Sequence, residues 1–198
     1  MLASSRFPSS PPVTLLWKML QGPGLERFEL LQDAERWVLR GTILHLHDNR
    51  PLEVRYSIEC DSGWHTVNAG IAVRDSNRER SLAIETDGGR WIANGDPQRQ
   101  VDGCIDIDLG WSPSTNTLPI RRLNLKNGTT SGPLIAAWVK FPELVLEPLP
   151  QGYQRVAERA YRYSSRGGTF AANLTVDEHG LVEEYEGFWK RVILADSH

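Results

Sequence analysis

Residues 52–60 constrain this chain more than any other stretch. Leu52, Val54, Tyr56, Ile58 and Cys60 alternate there with Glu53, Arg55, Ser57 and Glu59. Alternate side chains of a strand face opposite ways, so the pattern makes one apolar face and one charged face. A helix would spread the same residues around its whole circumference. The period of two recurs. Val67, Ala69, Ile71 and Val73 share a face, as do Phe170, Ala172, Leu174 and Val176. In residues 37–46, Trp37, Leu39, Gly41, Ile43 and His45 alternate with Val38, Arg40, Thr42, Leu44 and Leu46. Residues 82–85 lead through Asp87-Gly88-Gly89 into 90–93, a hairpin with appropriate turn residues. Turn signals recur about every 8–14 residues, and almost no segment sustains a helical period. The expectation is an all-β domain of many antiparallel strands. Residues 153–164 fit a helical face as well as a strand and are assigned to strand from their surroundings. Pro142 interrupts the apolar run 133–149 and predicts an edge or a bend.

The chain has 198 residues and a net charge of −3, with both signs mixed throughout. The length suits one domain, expected over 13–198, after a loose Ser- and Pro-rich segment at 1–12. No basic stripe supports nucleic-acid binding. No apolar run reaches the roughly eighteen residues of a membrane span. The first residues show no charged start and no apolar stretch of the kind that directs export, so a cytoplasmic location is expected. Cys60 and Cys104 both fall in strand candidates and read as small apolar residues in a reduced compartment. His45 and His47 share a strand face, but structural metal sites need three or four ligands. No metal or cofactor is expected, and no nucleophile elbow or phosphate-cradling loop is present.

Polar groups concentrate in residues 103–123. Asp106 and Asp108 share one strand face, with Ile105, Ile107 and Leu109 on the other. Side chains on one face lie roughly 6–7 Å apart, so the two carboxylates repel unless arginine, a shared proton or a metal compensates. A loop at 112–117 follows, rich in residues that bond their own backbone. Arg121 and Arg122 are then expected on a second strand, where adjacent residues face opposite ways and at most one meets the carboxylates. Four readings of this cluster stay open. It is a structural ion-pair network locking a long crossover, a site for a polar head group, a catalytic carboxylate pair, or a metal site. Trp64 and Trp111 lie beside polar loops and are candidate platforms for a sugar face, against ordinary core filling.

Two loose internal echoes point toward duplication. Arg55-Tyr56-Ser57 is matched by Arg162-Tyr163-Ser164, and residues 82–88 by 174–180. The run Asp106-Ile107-Asp108 through Thr115-Asn116-Thr117-Leu118-Pro119-Ile120-Arg121-Arg122 carries a family resemblance. Gly24-Leu25-Glu26, Tyr56 with Asp61 and Trp64, Phe141-Pro142, and residues 177–180 with Tyr185 and Trp189 support it. From about Trp17 to Arg191 the chain resembles the Putative glycolipid-binding family. The resemblance implies a spiral β-roll of antiparallel strands built by duplication. It also implies binding of a glycolipid or other amphipathic ligand, and supplies no catalytic residues. On this reading Asp106, Asp108, Asn116 and one of Arg121 or Arg122 hold the polar part of the ligand, with Trp64 and Trp111 against the rest. The alternatives are a carbohydrate-active enzyme using Asp106 or Asp108, and a structural or interaction protein with no small ligand. Oligomeric state is not readable from the sequence.

Overall fold

The computed structural model describes residues 11–33, 35–76 and 78–192. Most of the loose segment expected at 1–12 lies outside them. Eight strands come first: β1 (Val13–Met19), β2 (Gly24–Asp33), β3 (Arg36–His47), β4 (Arg50–Cys60), β5 (Thr66–Arg74), β6 (Glu79–Asp87), β7 (Arg90–Ala93) and β8 (Asp96–Pro97). A crossover carries β9 (Ile107–Leu109) and one helix, α1 (Thr117–Leu123). Six more strands follow: β10 (Leu134–Lys140), β11 (Val145–Ala157), β12 (Ala160–Ser165), β13 (Phe170–Val176), β14 (Val182–Tyr185) and β15 (Trp189–Arg191). Turn chemistry sets the hairpins. Asp48 and Asn49 take φ of 48° and 60° between β3 and β4, and Gly88 and Gly89 take 56° and 83° between β6 and β7. Two left-handed residues in succession give the turn whose twist matches paired strands.

All fifteen strands form one sheet, in the order β8-β7-β6-β5-β4-β3-β2-β1-β15-β14-β13-β12-β11-β10-β9. Every neighbouring pair is antiparallel except β9 with β10. The sheet is therefore mixed but largely antiparallel. Its edge strands, β8 and β9, are not paired with each other, so it is not closed. The sheet order does not show the expected duplication. One echo maps β4 onto β12, whereas the other maps β6 onto β13, and no single offset satisfies both.

The ambiguous stretch at 153–164 is strand, turning at Glu158 and Arg159 between β11 and β12. Pro142 lies in the β10–β11 turn. Pro148 and Pro150 sit where β11 pairs only with β10, so their missing donors break no ladder on the other side. The strand expected for Arg121 and Arg122 is instead α1. Seven residues are too few to display a helical period, and Pro119 falls in the first turn, where no backbone donor is needed. Asn124 ends the helix at a φ of 41°, donating its N–H to the Ile120 carbonyl.

The crossover is the interior of the molecule. Residues 112–120 are buried without a break. Their polar groups are bonded from both halves of the sheet. Tyr56 on β4 reaches Ser114 at 2.8 Å, and Tyr153 on β11 donates to Asn116 at 2.8 Å. Thr66 on β5 accepts the Ile107 N–H at 3.0 Å, and Thr117 donates to the Gly180 carbonyl. At the seam the Trp17 indole donates to the Val182 carbonyl at 2.6 Å.

Tyr56 reaches its partners by lying across Gly41, its cross-strand neighbour on β3. A Cβ at Gly41 would sit 2.3 Å from the Tyr56 ring. Gly41→Ala should therefore expel the ring. Urea denaturation should show a loss of about 1–3 kcal/mol, and Tyr56→Phe, which keeps the packing, should lose less.

Candidate functional site

Crossover and second half enclose a cleft of about 260 Å³. Its polar floor is Asp108 on β9, Ser112 and Asn116 from the buried run, and Ser165 on β12. Its wall is aromatic: Trp138, Tyr163, Phe170, Tyr185, Phe188 and Trp189. Alternation delivers these groups. Asp108 is opposite Trp138, Tyr163 opposite Ala172, and Tyr185 opposite Leu174. The rings touch one another. Tyr163 lies 6.0 Å from Phe170 and 6.1 Å from Tyr185, and Phe188 lies 5.1 Å from Tyr185, between centroids. Gly110 makes room for Trp138, because a Cβ there would be 2.7 Å from the indole nitrogen.

Asp108 is half-buried and accepts a hydrogen bond from Gln151 on β11. Burial pushes its carboxyl up to about 6; the Gln151 bond opposes this, and Asp106 adds to it. The group is thus ionised at neutral pH but poised near its titration. Burial also raises the Tyr163 and Tyr185 phenols, which stay neutral donors. A carboxylate, an amide and hydroxyls set against flat rings can bond hydroxyl groups on one side and stack an apolar face on the other.

Of the seven residues picked out in the sequence, the cleft gathers Asp108 and Asn116. Asp106 lies just before β9, outside the sheet, and is buried in a two-point ion pair with Arg122. Burial raises Asp106 despite that guanidinium. Arg121 points elsewhere, with its guanidinium 5.4 Å from the Trp64 ring. Trp64 stacks on Trp37 at 4.4 Å. Trp111 stacks on Phe141 at 5.1 Å and touches His45 and His47. Among the described residues no three His, Cys, Asp or Glu side chains group to hold a metal. Cys60 and Cys104 are buried free thiols.

The sequence reading missed Glu26. It is fully buried on β2, and Tyr56 and Ser112 both donate to its Oε1, the latter at 2.8 Å. Its Oε2 has no partner. Burial raises this carboxyl to about 8, against the pull of the two hydroxyls, so it is a neutral acid at pH 7. The signal was present: Glu26 shares its strand face with Phe28 and Leu30. Gln151, Ser165 and the aromatic wall carried no local signal, because the topology alone brings them to Asp108.

One fifteen-stranded sheet packed on a buried polar crossover, with an aromatic cleft on its second half, defines a mostly-β protein of unassigned activity. The chain belongs to the family described as Putative glycolipid-binding, whose pattern matches residues 14–191. It is similar to the crystal structure of a DUF1089 family protein from Pseudomonas aeruginosa, at 29% identity and a TM-score of 0.74, over 97% of this chain and 99% of that one. No curated relative matches it. No helix among the described residues is long and apolar enough to cross a membrane.

Glu26 makes stability depend on pH. Its folded pKa of about 8 lies above its ordinary 4.5, so the folded chain holds a proton that the unfolded chain has released. The contribution is intact below about 4.5 and falls away as pH rises toward 8. The decline is on the order of 4 kcal/mol across that interval. Urea denaturation between pH 5 and 8, the window being the one set by those values, should show it, and Glu26→Gln should flatten the slope. Breaking the buried ion pair by Arg122→Met should cost about 3–5 kcal/mol, because Asp106 is left uncompensated.

Proposed function

We propose that the protein binds the saccharide head of a glycolipid or similar amphipathic ligand in the cleft at Asp108. The observation that carries this reading is the cleft itself, with a floor of carboxylate, amide and hydroxyls facing a wall of six rings. Ring hydroxyls bond Asp108, Asn116 and Ser165, and an apolar sugar face stacks on Tyr185 and its neighbours. At about 260 Å³ the cleft falls below the common range for ligand pockets, roughly 300–1,000 Å³. It takes a head group and leaves the acyl chain outside. Arg121, Arg122 and Trp64 are structural in this reading, and Asp106 serves to hold Arg122.

The spiral roll belongs to the same proposal, as does a single domain from residue 13 onward. The buried run bonds both β4 and β11, eight places apart in the sheet order. A flat sheet would separate those strands by about 38 Å. Winding the sheet around the run removes the discrepancy.

A second reading, a carbohydrate-active enzyme, draws support from the raised carboxyl of Asp108 alone, because Arg122 engages Asp106. Asp108→Asn separates the two. The variant keeps an acceptor for Gln151, so a binder should lose ligand by about tenfold or more with little change in stability. Native mass spectrometry of protein purified from its own source, followed by extraction, supplies the ligand to be measured. Undiminished binding by Asp108→Asn with no turnover to lose would sink the assignment of the cleft, and undiminished binding with lost turnover of that ligand would favour the enzyme.

A further inference from the structure

One residue lining the cleft is an arginine held in no ion pair. Arg166 follows β12 and lines the cleft. It forms no ion pair among the described residues, whereas eight other arginines do. Its guanidinium lies 5.2 Å from the Trp138 ring, on the aromatic wall. It also acts on the wall opposite. Burial raises the Tyr163 phenol, and the Arg166 charge pulls that phenol the other way. Asp108 is the one other charged side chain lining the cleft, and no ion pair joins the two among the described residues.

The backbone adds a second observation. Arg166 holds a φ of 53°, followed by Gly167 at 67° and Gly168 at 88°. Left-handed backbone favours glycine, and the two neighbours conform. A charged residue kept there is strained, and strain of this kind gathers at sites that bind.

We propose that the head group bound in this cleft is anionic: a saccharide carrying a carboxylate, sulfate or phosphate. Its hydroxyls bond Asp108 and Asn116, and its anionic group pairs with Arg166 over the face of Trp138. A planar guanidinium already stacked on a ring presents its N–H fork to such a group with little freedom left to lose. This inference rests on the cleft being the binding site.

The test compares octyl glucoside with octyl glucuronide, which differ in the carboxylate alone, by titration calorimetry below micelle formation. Octyl sulfate is the anion without a sugar. The glucuronide should bind about tenfold more tightly than the glucoside, and the preference should shrink as salt rises. Arg166→Met, which keeps a stem over Trp138, should bring the ratio of the two near one, and Arg166→Lys should restore part of it. A thermal melt of each variant checks that the fold is retained. Equal binding of the two glycosides overturns the anionic head group, and a preference that survives Arg166→Met overturns its pairing with Arg166; either leaves the cleft assignment standing. Binding of neither glycoside overturns both. Octyl sulfate binding as tightly as the glucuronide shows an anion site with no saccharide, which also overturns the proposal.

Discussion

Nine consecutive residues, 112–120, are buried, and five of their side chains are polar. A polar group out of water must find a partner inside, and most of this structure can be read as the supply of those partners. Ser112 and Ser114 are met by Glu26 and Tyr56, Asn116 by Tyr153, and Thr117 by the Gly180 carbonyl. Thr115 accepts the Leu109 N–H at 3.2 Å and so fixes where β9 ends. The demand propagates outward. Tyr56 must span β3 to reach both Glu26 and the serines, and that reach sets glycine at 41. A run with fewer polar groups could have packed anywhere against apolar side chains. This one fits a single register, because hydrogen bonds have direction and hydrophobic contact does not.

Four acids sit in or near the interior, and the structure manages them in three ways. Asp106 is neutralised by Arg122. Asp177 pairs with Arg191 at 2.8 Å and accepts the backbone N–H groups of His179 and Leu181. Glu26 has no cation and holds a proton instead. Asp108 has neither a cation nor full burial; it has Gln151 and the cleft. Buried charge is stable when paired and costly when not. On the proposed reading, the acid whose needs the fold leaves partly unmet is the one that takes the ligand. That argument separates Asp108 from Asp106, which their spacing in the sequence could not.

Much of the sheet was legible because alternation is a local property. The paired faces of β4, β5 and β13 could be read off the letters, and Asp48-Asn49 and Gly88-Gly89 mark their own turns. The helix at 117–123 was not legible, since it is set by the burial of a whole segment and not by a repeating face. Glu26 was legible in principle, as an acid on the face of Phe28 and Leu30. The cleft was half legible. Asp108 and Asn116 come from one stretch of chain, but the wall opposite them is contributed by β10, β12, β13, β14 and β15. Trp64 and Trp111 read as platform candidates because polar loops flank them; in the structure each stacks on another ring, Trp37 and Phe141.

Ser112 joins the two centres that matter most. Its hydroxyl donates to Glu26 and lies 2.7 Å from Ser114, and the residue lines the cleft together with Asp108 and Asn116. One residue thus ties a buried acid to the lining of the cleft. While Glu26 keeps its proton, one oxygen accepts from Tyr56 and Ser112 and the network is uncharged. Ionising it would place an uncompensated charge with an unpartnered oxygen at the centre of the crossover, and relief would come by moving the hydroxyls that surround it. Ser112 is the one of those that also faces the cleft. The same bond that lets a polar run be buried therefore sets the position of the cleft's floor, so that the packing of the core and the shape of the site are one problem with one solution.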